Sequence, residues 1–319
     1  MTENTLVQDL GRNVYLIDLL ETNSPGRTSA YVVRGEKNAL VEVGSSHSRE
    51  NILNSLEKIG LTPEQIDYVI VTHIHLDHSG GVGYILPLLP NATVVCHPRA
   101  ARHLIDPSRL IAGASAVYGD ELERIFGKIL PVPEERVLVR EDGEEIDLGN
   151  GHLLTFYDTP GHARHHFSIH DHGSNGIFTG DTVGIKYVPE LTGWDFDVIY
   201  PSSSPSEFDL QAVFRTIERL QALRPDRIYH THFGATEPAT HAFERTRQTA
   251  ADFDRLARDS FRPGQPWQEI AEKLREYIRT DCAAQGHTVT DLSGLELDIE
   301  LNAKGLLFVL EKEHASKNA

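Results

Sequence analysis

Four potential metal ligands fall within six residues of this chain, directly after an apolar run. The run, residues 68–72, is rich in β-branched and aromatic side chains and is typical of a strand buried on both faces. The ligands follow it as His73, His75, Asp77 and His78. Three imidazoles and a carboxylate crowded together would be costly to bury without a cation to coordinate. The sequence therefore predicts a metal site where this strand ends.

The spacing of these ligands also predicts how they are presented. His73 and His75 share one face of an extended chain, because side chains alternate with a period of two. Asp77 and His78 are expected in the following turn, from which they can reach a neighbouring position. The adjacent glycines at 80 and 81 let the backbone turn sharply and approach a site closely. The arrangement is compatible with two metal ions.

Charge and composition exclude several other classes of protein. The chain has 319 residues and a net charge of −17, and no run of lysines and arginines, so a nucleic-acid partner is not expected. Cys96 and Cys282 lie far apart outside any Cys-x-x-Cys pair, which argues against a thiolate zinc site and places both in the core. No segment approaches the ~18 apolar residues that span a bilayer, and the amino terminus does not resemble a signal peptide. We expect a soluble, cytoplasmic protein without a membrane partner.

Two strand-rich blocks, each closed by helix, organise the first three quarters of the chain. Short apolar runs and their turns predict strands before residue 96 and again over 136–181, and helical spacing predicts a helix over 48–59. This order predicts an α+β sandwich with helices outside. The region 106–127 is predicted to be mainly helical, with these core positions: Leu110, Ile111, Val117, Leu122 and Ile125. We predict a catalytic domain over 1–235 and a helical extension over 236–319 that packs on it.

Three further segments place a ligand after a predicted strand: Pro-Gly-His ending at His162, Gly-Asp ending at Asp181, and His-x-Gly beginning at His232. With the His-x-His-x-Asp-His motif, these segments follow the order found in the metallo-β-lactamase superfamily, which the chain resembles over residues 12–235. The resemblance implies a four-layer αβ/βα sandwich with a dinuclear metal centre at the edge where both sheets end. His230, two residues before His232, is an alternative ligand by strand periodicity.

The resemblance implies a complete set of seven ligands. One metal would be held by His73, His75 and His162, a second by Asp77, His78 and His232, with Asp181 bridging. Imidazole and carboxylate ligands without thiolate suit zinc, with iron and manganese as alternatives. Water shared by two divalent ions loses its proton near neutral pH, so the expected reaction is hydrolysis by a metal-bound hydroxide. Asp77 is the expected catalytic residue, orienting the hydroxide and passing a proton to the leaving group.

The chain differs from its relatives at several motif positions, and these differences restrict which branch of the family it resembles. Flavodiiron oxygen reductases have a glutamate where this chain has His75, so a flavodiiron protein with a flavin-binding domain is not expected. Residues 161–166 depart from the glyoxalase II-like pattern, although His166 matches its second histidine and is expected to orient ligands. Lactonases that resemble this fold carry a tyrosine shortly after the bridging aspartate, and Tyr187 is the nearest candidate for such a substrate contact. Glu42 stands where relatives often have aspartate.

The sequence thus predicts a dinuclear hydrolase of the glyoxalase II and lactonase-like branch, acting on a small molecule. A lactone or thioester substrate is preferred over a phosphodiester, because residues 183–205 supply aromatic side chains and no cluster of basic residues is visible. A mononuclear iron sulfur dioxygenase, a phosphodiesterase and a regulatory or binding protein with little turnover are the alternatives. A homo-oligomer is compatible with these features.

Overall fold

The computed structural model describes residues 6–203 and 206–317. The strands are β1 (Val7–Asp9), β2 (Val14–Asp18), β3 (Ser29–Val33), β4 (Asn38–Val41), β5 (Ile66–Ile70), β6 (Thr93–Cys96), β7 (Val137–Val139), β8 (Glu145–Asp147), β9 (Leu153–Asp158), β10 (Phe167–Asp171), β11 (Gly176–Phe178), β12 (Ile185–Tyr187), β13 (Val198–Tyr200), β14 (Arg227–His230) and β15 (Gly234–Thr236). The α-helices are α1 (Arg49–Lys58), α2 (Leu76–Ser79), α3 (Val82–Ile85), α4 (Pro98–Ile105), α5 (Ser108–Tyr118), α6 (Leu122–Phe126), α7 (Pro189–Thr192), α8 (Leu210–Ala222), α9 (Ala239–Ser260), α10 (Trp267–Ala284) and α11 (Glu296–Lys317).

The chain divides into two compact units. Unit one comprises Met1–Thr159, His165–Gly180 and Pro225–Ala239, and unit two comprises Pro160–Arg164, Asp181–Arg224 and Thr240–Ala319. The helical end of the chain therefore groups with two earlier segments. The assignment of 1–235 to a catalytic domain and 236–319 to an extension stays a prediction, because compactness does not identify a functional unit.

Unit one contains two sheets. In the first, β1 to β7 lie in chain order, with antiparallel pairs up to β4 and parallel pairs from β4 to β7. The second has the order β15, β14, β11, β10, β9, β8, and its one parallel pair among the described strands is β11 with β14. Parallel neighbours end at the same sheet edge, so the loops that follow β4 and β5 lie side by side.

A continuous core of buried side chains joins the two sheets of unit one. It combines Val33 and Ile70 of the first sheet with Phe156, Phe167 and Phe178 of the second. The opposite face of the first sheet packs a second core against α1 and the segments after β5. The alternation along the strands supplies both cores, because successive side chains point to opposite faces.

The predicted core positions of the region 106–127 are only partly correct. Leu122 is buried, whereas the prediction for Val117 is wrong, since that residue is 50% exposed. Helix α5 buries none of its residues, and Leu110 and Ile111 are half-buried. Leu110, Ile111 and Ile125 instead pack at the margin of a small buried cluster of Leu76, Leu122 and Phe126, so helix α5 borders the core without being buried in it.

Unit two contains the antiparallel pair of β12 and β13, and helices α10 and α11, which pack against each other. Helix α10 buries an apolar stripe that includes Ile270, Leu274 and Cys282. Phe253 of α9 stacks on Tyr200 of β13, with ring centroids 5.9 Å apart. Within the described part of the chain, no helix has the length and apolar character that crossing a membrane requires.

Candidate metal centre

The histidine motif lies where β5 ends, as the sequence predicts. His75 has an extended backbone and directly precedes α2, so Asp77 and His78 lie in a short helix rather than in an open turn. Main-chain N–H groups of Val43 and Gly44 donate to the carbonyl oxygen of His78 at 3.1 and 3.2 Å. The loops after β4 and β5 are therefore joined directly behind the motif.

A glycine is required where these loops meet. A Cβ atom at Gly81 would lie 2.5 Å from the carbonyl oxygen of Ser45. That separation is far below van der Waals contact, so a larger residue would push the two loops apart. The second of the two adjacent glycines thus serves the close approach that the sequence predicts.

Asp77, His78 and His232 form a cluster in unit one, in which the three ligand atoms lie within 4.8 Å of one another. Oδ2 of Asp77 is 3.3 Å from Nε2 of His232 and 3.8 Å from Nε2 of His78. His78 is fully buried, and 36% of the Asp77 side chain is exposed. Two imidazoles and one carboxylate converging at this distance fit a divalent metal ion, because these are its preferred nitrogen and oxygen donors.

The orientation of His232 is fixed from its other side. Its Nδ1 lies 2.9 Å from the carbonyl oxygen of Arg27. A carbonyl oxygen only accepts, so Nδ1 must carry the proton, and the lone pair of the neutral ring lies on Nε2, which faces Asp77. The alternative ligand His230 is buried, and its Nε2 lies 3.0 Å from the hydroxyl of Thr236.

His73 and His75 bring two nitrogen atoms together next to this cluster. Nε2 of His73 and Nδ1 of His75 are 2.9 Å apart. The Thr72 hydroxyl donates to Oε1 of Glu42 and lies 3.0 Å from Nδ1 of His73. Because that hydroxyl proton goes to the carboxylate, its oxygen is left to accept from Nδ1–H of His73, which places the lone pair of the neutral ring on Nε2.

Glu42 is fully buried beside the motif. Oε1 also accepts from the N–H of Thr72 at 3.2 Å and lies 3.5 Å from Nδ1 of His78. The glutamate that replaces the usual aspartate thus faces both His78 and the threonine that orients His73. A second buried carboxylate, Glu21, accepts from the N–H of Ser45 at 2.6 Å. Burial raises the pKa of Glu21, and its hydrogen bonds offset part of that effect.

Unit two holds the other two predicted ligands. His162 and Asp181 are both buried, and Nε2 of His162 lies 3.6 Å from Oδ2 of Asp181. Ser202 contacts both of them, through its carbonyl oxygen at 3.2 Å from Nδ1 of His162 and through its hydroxyl at 3.2 Å from Oδ2 of Asp181. The structure therefore brings five of the seven predicted ligands together in unit one and two in unit two.

The two remaining predicted residues are both buried. His166 hydrogen-bonds through Nδ1 to the Thr159 hydroxyl at 2.8 Å, and its ring centroid is 5.0 Å from that of His73. The predicted role of His166 in orienting ligands stays a prediction. The Tyr187 side chain is 1% exposed and its ring is 6.1 Å from that of Tyr200. A substrate contact by Tyr187 stays a prediction.

Comparison with known proteins identifies the class. The model of the metallo-β-lactamase superfamily matches residues 23–232, more than half of the chain. The chain therefore belongs to the metallo-β-lactamase superfamily, whose members bind divalent metals and are mostly metal-dependent hydrolases. The predicted fold, an α+β metallo-β-lactamase fold with two sheets and a C-terminal helical region, is confirmed.

Individual relatives agree with this assignment. The metallo-β-lactamase fold-containing protein ST1585 of Sulfurisphaera tokodaii is 27% identical over 232 residues, which cover 71% of this chain and 80% of that protein. Its crystal structure superposes with a TM-score of 0.64 at 24% identity, covering 92% of this chain and 98% of that chain. The metallo-β-lactamase family protein TTHA1429 of Thermus thermophilus gives a TM-score of 0.68 at 20% identity, with 96% of each chain covered.

A second group of relatives is much longer than this chain. Diflavin flavoprotein A 1 of Synechocystis is 30% identical over 171 residues, which cover 53% of this chain but only 26% of that protein. The chain thus spans about a quarter of that flavoprotein's length.

Sequence reasoning missed Thr72 and Ser202. Thr72 directly precedes His73, so a hydroxyl beside a predicted ligand was the available signal. Ser202 has no such signal, because it stands among three consecutive serines, residues 202–204, far from each ligand along the chain.

Proposed function

We propose that this protein is a dinuclear metal-dependent hydrolase that cleaves an ester-like bond in a small molecule. The cluster of Asp77, His78 and His232, with ligand atoms within 4.8 Å of one another, is the main support. A set of imidazoles and carboxylates without thiolate suits zinc best, and iron or manganese are alternatives.

The proposed ligand set follows the motifs of the family. His73, His75 and His162 would hold one ion, Asp77, His78 and His232 would hold the other, and Asp181 would bridge them. The fixed tautomers of His73 and His232 support this set, because each leaves its lone pair on the nitrogen that faces another ligand.

When bound, the two ions would supply an activated water and would polarise an oxygen atom of the substrate. Asp77 is the residue that moves a proton. Its carboxylate belongs to the cluster and is 36% exposed, so a substrate can approach it. A carboxylate within hydrogen-bond reach can hold the proton of the attacking water and pass it to the leaving oxygen or sulfur.

The segment after Asp181 favours a substrate with little negative charge. Between residues 182 and 203 the one basic side chain is Lys186, and it pairs with Asp197 at 2.8 Å. Trp194 and Phe196 stack with ring centroids 5.2 Å apart in the same segment. A lactone or thioester suits such a surface better than a phosphodiester, which needs unpaired cations.

Metal quantification coupled to a substrate screen tests the proposal. We expect about two equivalents of transition metal per chain and hydrolysis of a lactone or thioester in a panel that also holds phosphodiesters and β-lactams. Asp181→Asn should lose roughly 100-fold or more of this activity, whereas His241→Ala, on an exposed position of α9, should retain it. Purified protein with less than about one equivalent of metal, or full activity of Asp181→Asn, would refute the proposal. Oxygen uptake with a persulfide and no hydrolysis would identify the dioxygenase alternative instead.

A further inference from the structure

Ser202 lies just after strand β13 in unit two, and its side chain is half-buried. It contacts two of the seven proposed ligands through two different chemical groups. The main-chain carbonyl oxygen lies 3.2 Å from Nδ1 of His162, and the side-chain hydroxyl donates to Oδ2 of Asp181 at 3.2 Å. Each contact has a separate consequence for metal binding.

The carbonyl contact determines which nitrogen of His162 carries the proton. A carbonyl oxygen has no proton to donate, so the hydrogen bond requires the proton on Nδ1. The neutral imidazole then has its lone pair on Nε2, the atom that lies 3.6 Å from Oδ2 of Asp181. Ser202 thus selects the tautomer of His162 that can bind a metal next to Asp181.

The hydroxyl contact restricts the carboxylate of Asp181. A hydrogen bond to one oxygen opposes rotation about the Cβ–Cγ bond, so the carboxylate is already oriented before an ion arrives. The groups that orient metal ligands in this way are important for affinity, and their loss typically costs roughly 10–100-fold in metal binding.

The neighbouring serine has a different role, although it is chemically identical. Ser203 is 1% exposed, and both its N–H and its hydroxyl donate to Oδ1 of Asn302, at 2.7 and 2.5 Å. These bonds connect the segment to helix α11 and involve neither His162 nor Asp181. Ser203 is therefore a matched control for Ser202.

We propose that Ser202 is a positioning residue that orients His162 and Asp181 for metal binding, an inference that rests on the proposed dinuclear function. Substitution by alanine removes the hydroxyl and keeps the carbonyl, so the Asp181 contact can be tested alone. Substitution by threonine keeps both groups.

The test compares the affinities of Ser202→Ala, Ser202→Thr and Ser203→Ala for Zn²⁺, by competition with a chromogenic chelator, and their Co²⁺ absorption spectra. We expect Ser202→Ala to bind at least one ion about tenfold more weakly and to change the Co²⁺ spectrum. Ser202→Thr should bind within about threefold of the wild type, because threonine retains the hydroxyl. Without metal, Ser203→Ala should lower the midpoint temperature of thermal unfolding, whereas Ser202→Ala should leave it nearly unchanged.

Each contrary outcome has a distinct meaning. If the wild type binds two ions and Ser202→Ala binds them equally well, the role of the Ser202 hydroxyl in orienting Asp181 is wrong while the dinuclear function stands. If Ser203→Ala loses as much affinity as Ser202→Ala, the effect is a general loosening of the segment and the inference is overturned. If the wild type binds less than one ion, the proposed function fails and the role of Ser202 fails with it.

Discussion

Replacement of Asp281 by alanine should strongly destabilise unit two. Oδ2 of Asp281 accepts from Nη2 of Arg245 at 2.6 Å and from the hydroxyl of Tyr200 at 2.9 Å. The exposed fractions of the Arg245 and Asp281 side chains are only 13% and 9%. The alanine variant therefore leaves a guanidinium in a nearly buried position without its counter-charge.

The expected magnitude follows from this burial. Removing one partner of a buried ion pair typically costs about 3–5 kcal/mol, because the other charge stays desolvated. Water that reaches the exposed tenth of the pair reduces the penalty, so we expect about 3 kcal/mol. Asp281→Asn retains an acceptor and should lose about 1–2 kcal/mol. Glu218→Gln is the control, because it breaks an ion pair on the surface, in which the side chains of Glu218 and Arg247 are 62% and 44% exposed. It should change the free energy of unfolding by less than about 0.5 kcal/mol.

Urea unfolding followed by tryptophan fluorescence is the appropriate assay. The two tryptophans of the chain, Trp194 and Trp267, both belong to unit two, so their emission reports the unfolding of that unit. Far-UV circular dichroism on the same samples reports the whole chain and tests whether unfolding is two-state. A fluorescence-derived loss below about 1 kcal/mol for Asp281→Ala, close to that of Glu218→Gln, would refute the assignment of a desolvated charge pair.

Three further predictions concern unit one. Burial raises the pKa of Glu21 above its ordinary value of 4.5, so the stability of the wild type should fall as pH rises through the folded-state pKa. The urea midpoint of Glu21→Gln should decline less than that of the wild type across pH 4–8, and parallel curves for the two proteins would contradict this. The hydrogen bond to Asp171 raises the pKa of His152 above 6.5, so the contribution of this pair to stability is fully present below about pH 6.5 and is lost as pH rises through the folded-state pKa. His152→Gln should abolish that pH dependence of the urea midpoint. If the variant retains the wild-type curve, the pair is not its source. Gly180 has φ +49°, and a Cβ there would lie 2.4 Å from Nε2 of His166, so Gly180→Ala should lower the free energy of unfolding by about 2 kcal/mol or more. Gly60 has φ +74° and open space around it, so Gly60→Ala should lower it by only about 1 kcal/mol. Equal losses in urea unfolding would show that backbone conformation alone is responsible.

The clustering of the candidate ligands was predictable because their spacing is local. His73, His75, Asp77 and His78 are fixed relative to one another by one strand end and one helical turn, so six residues contain most of the information. The buried strands before and around them were predictable for the same reason, since alternation and continuous apolar runs reflect local geometry. Val117 shows where such patterns fail, because apolar spacing predicts a helix without saying what packs against it.

By itself, then, the sequence determined the family, the sandwich of two sheets and the set of candidate metal ligands, each of which depends on residue types at short, regular intervals. Only the tertiary structure decided how those ligands are oriented. The distinction between Ser202 and Ser203 arises from contacts with residues 21 to 99 positions away along the chain. The orientation of His232 likewise depends on a carbonyl group 205 positions away. Such contacts are set by how distant segments pack, and hydrogen bonds over such separations leave no periodic signal in the sequence.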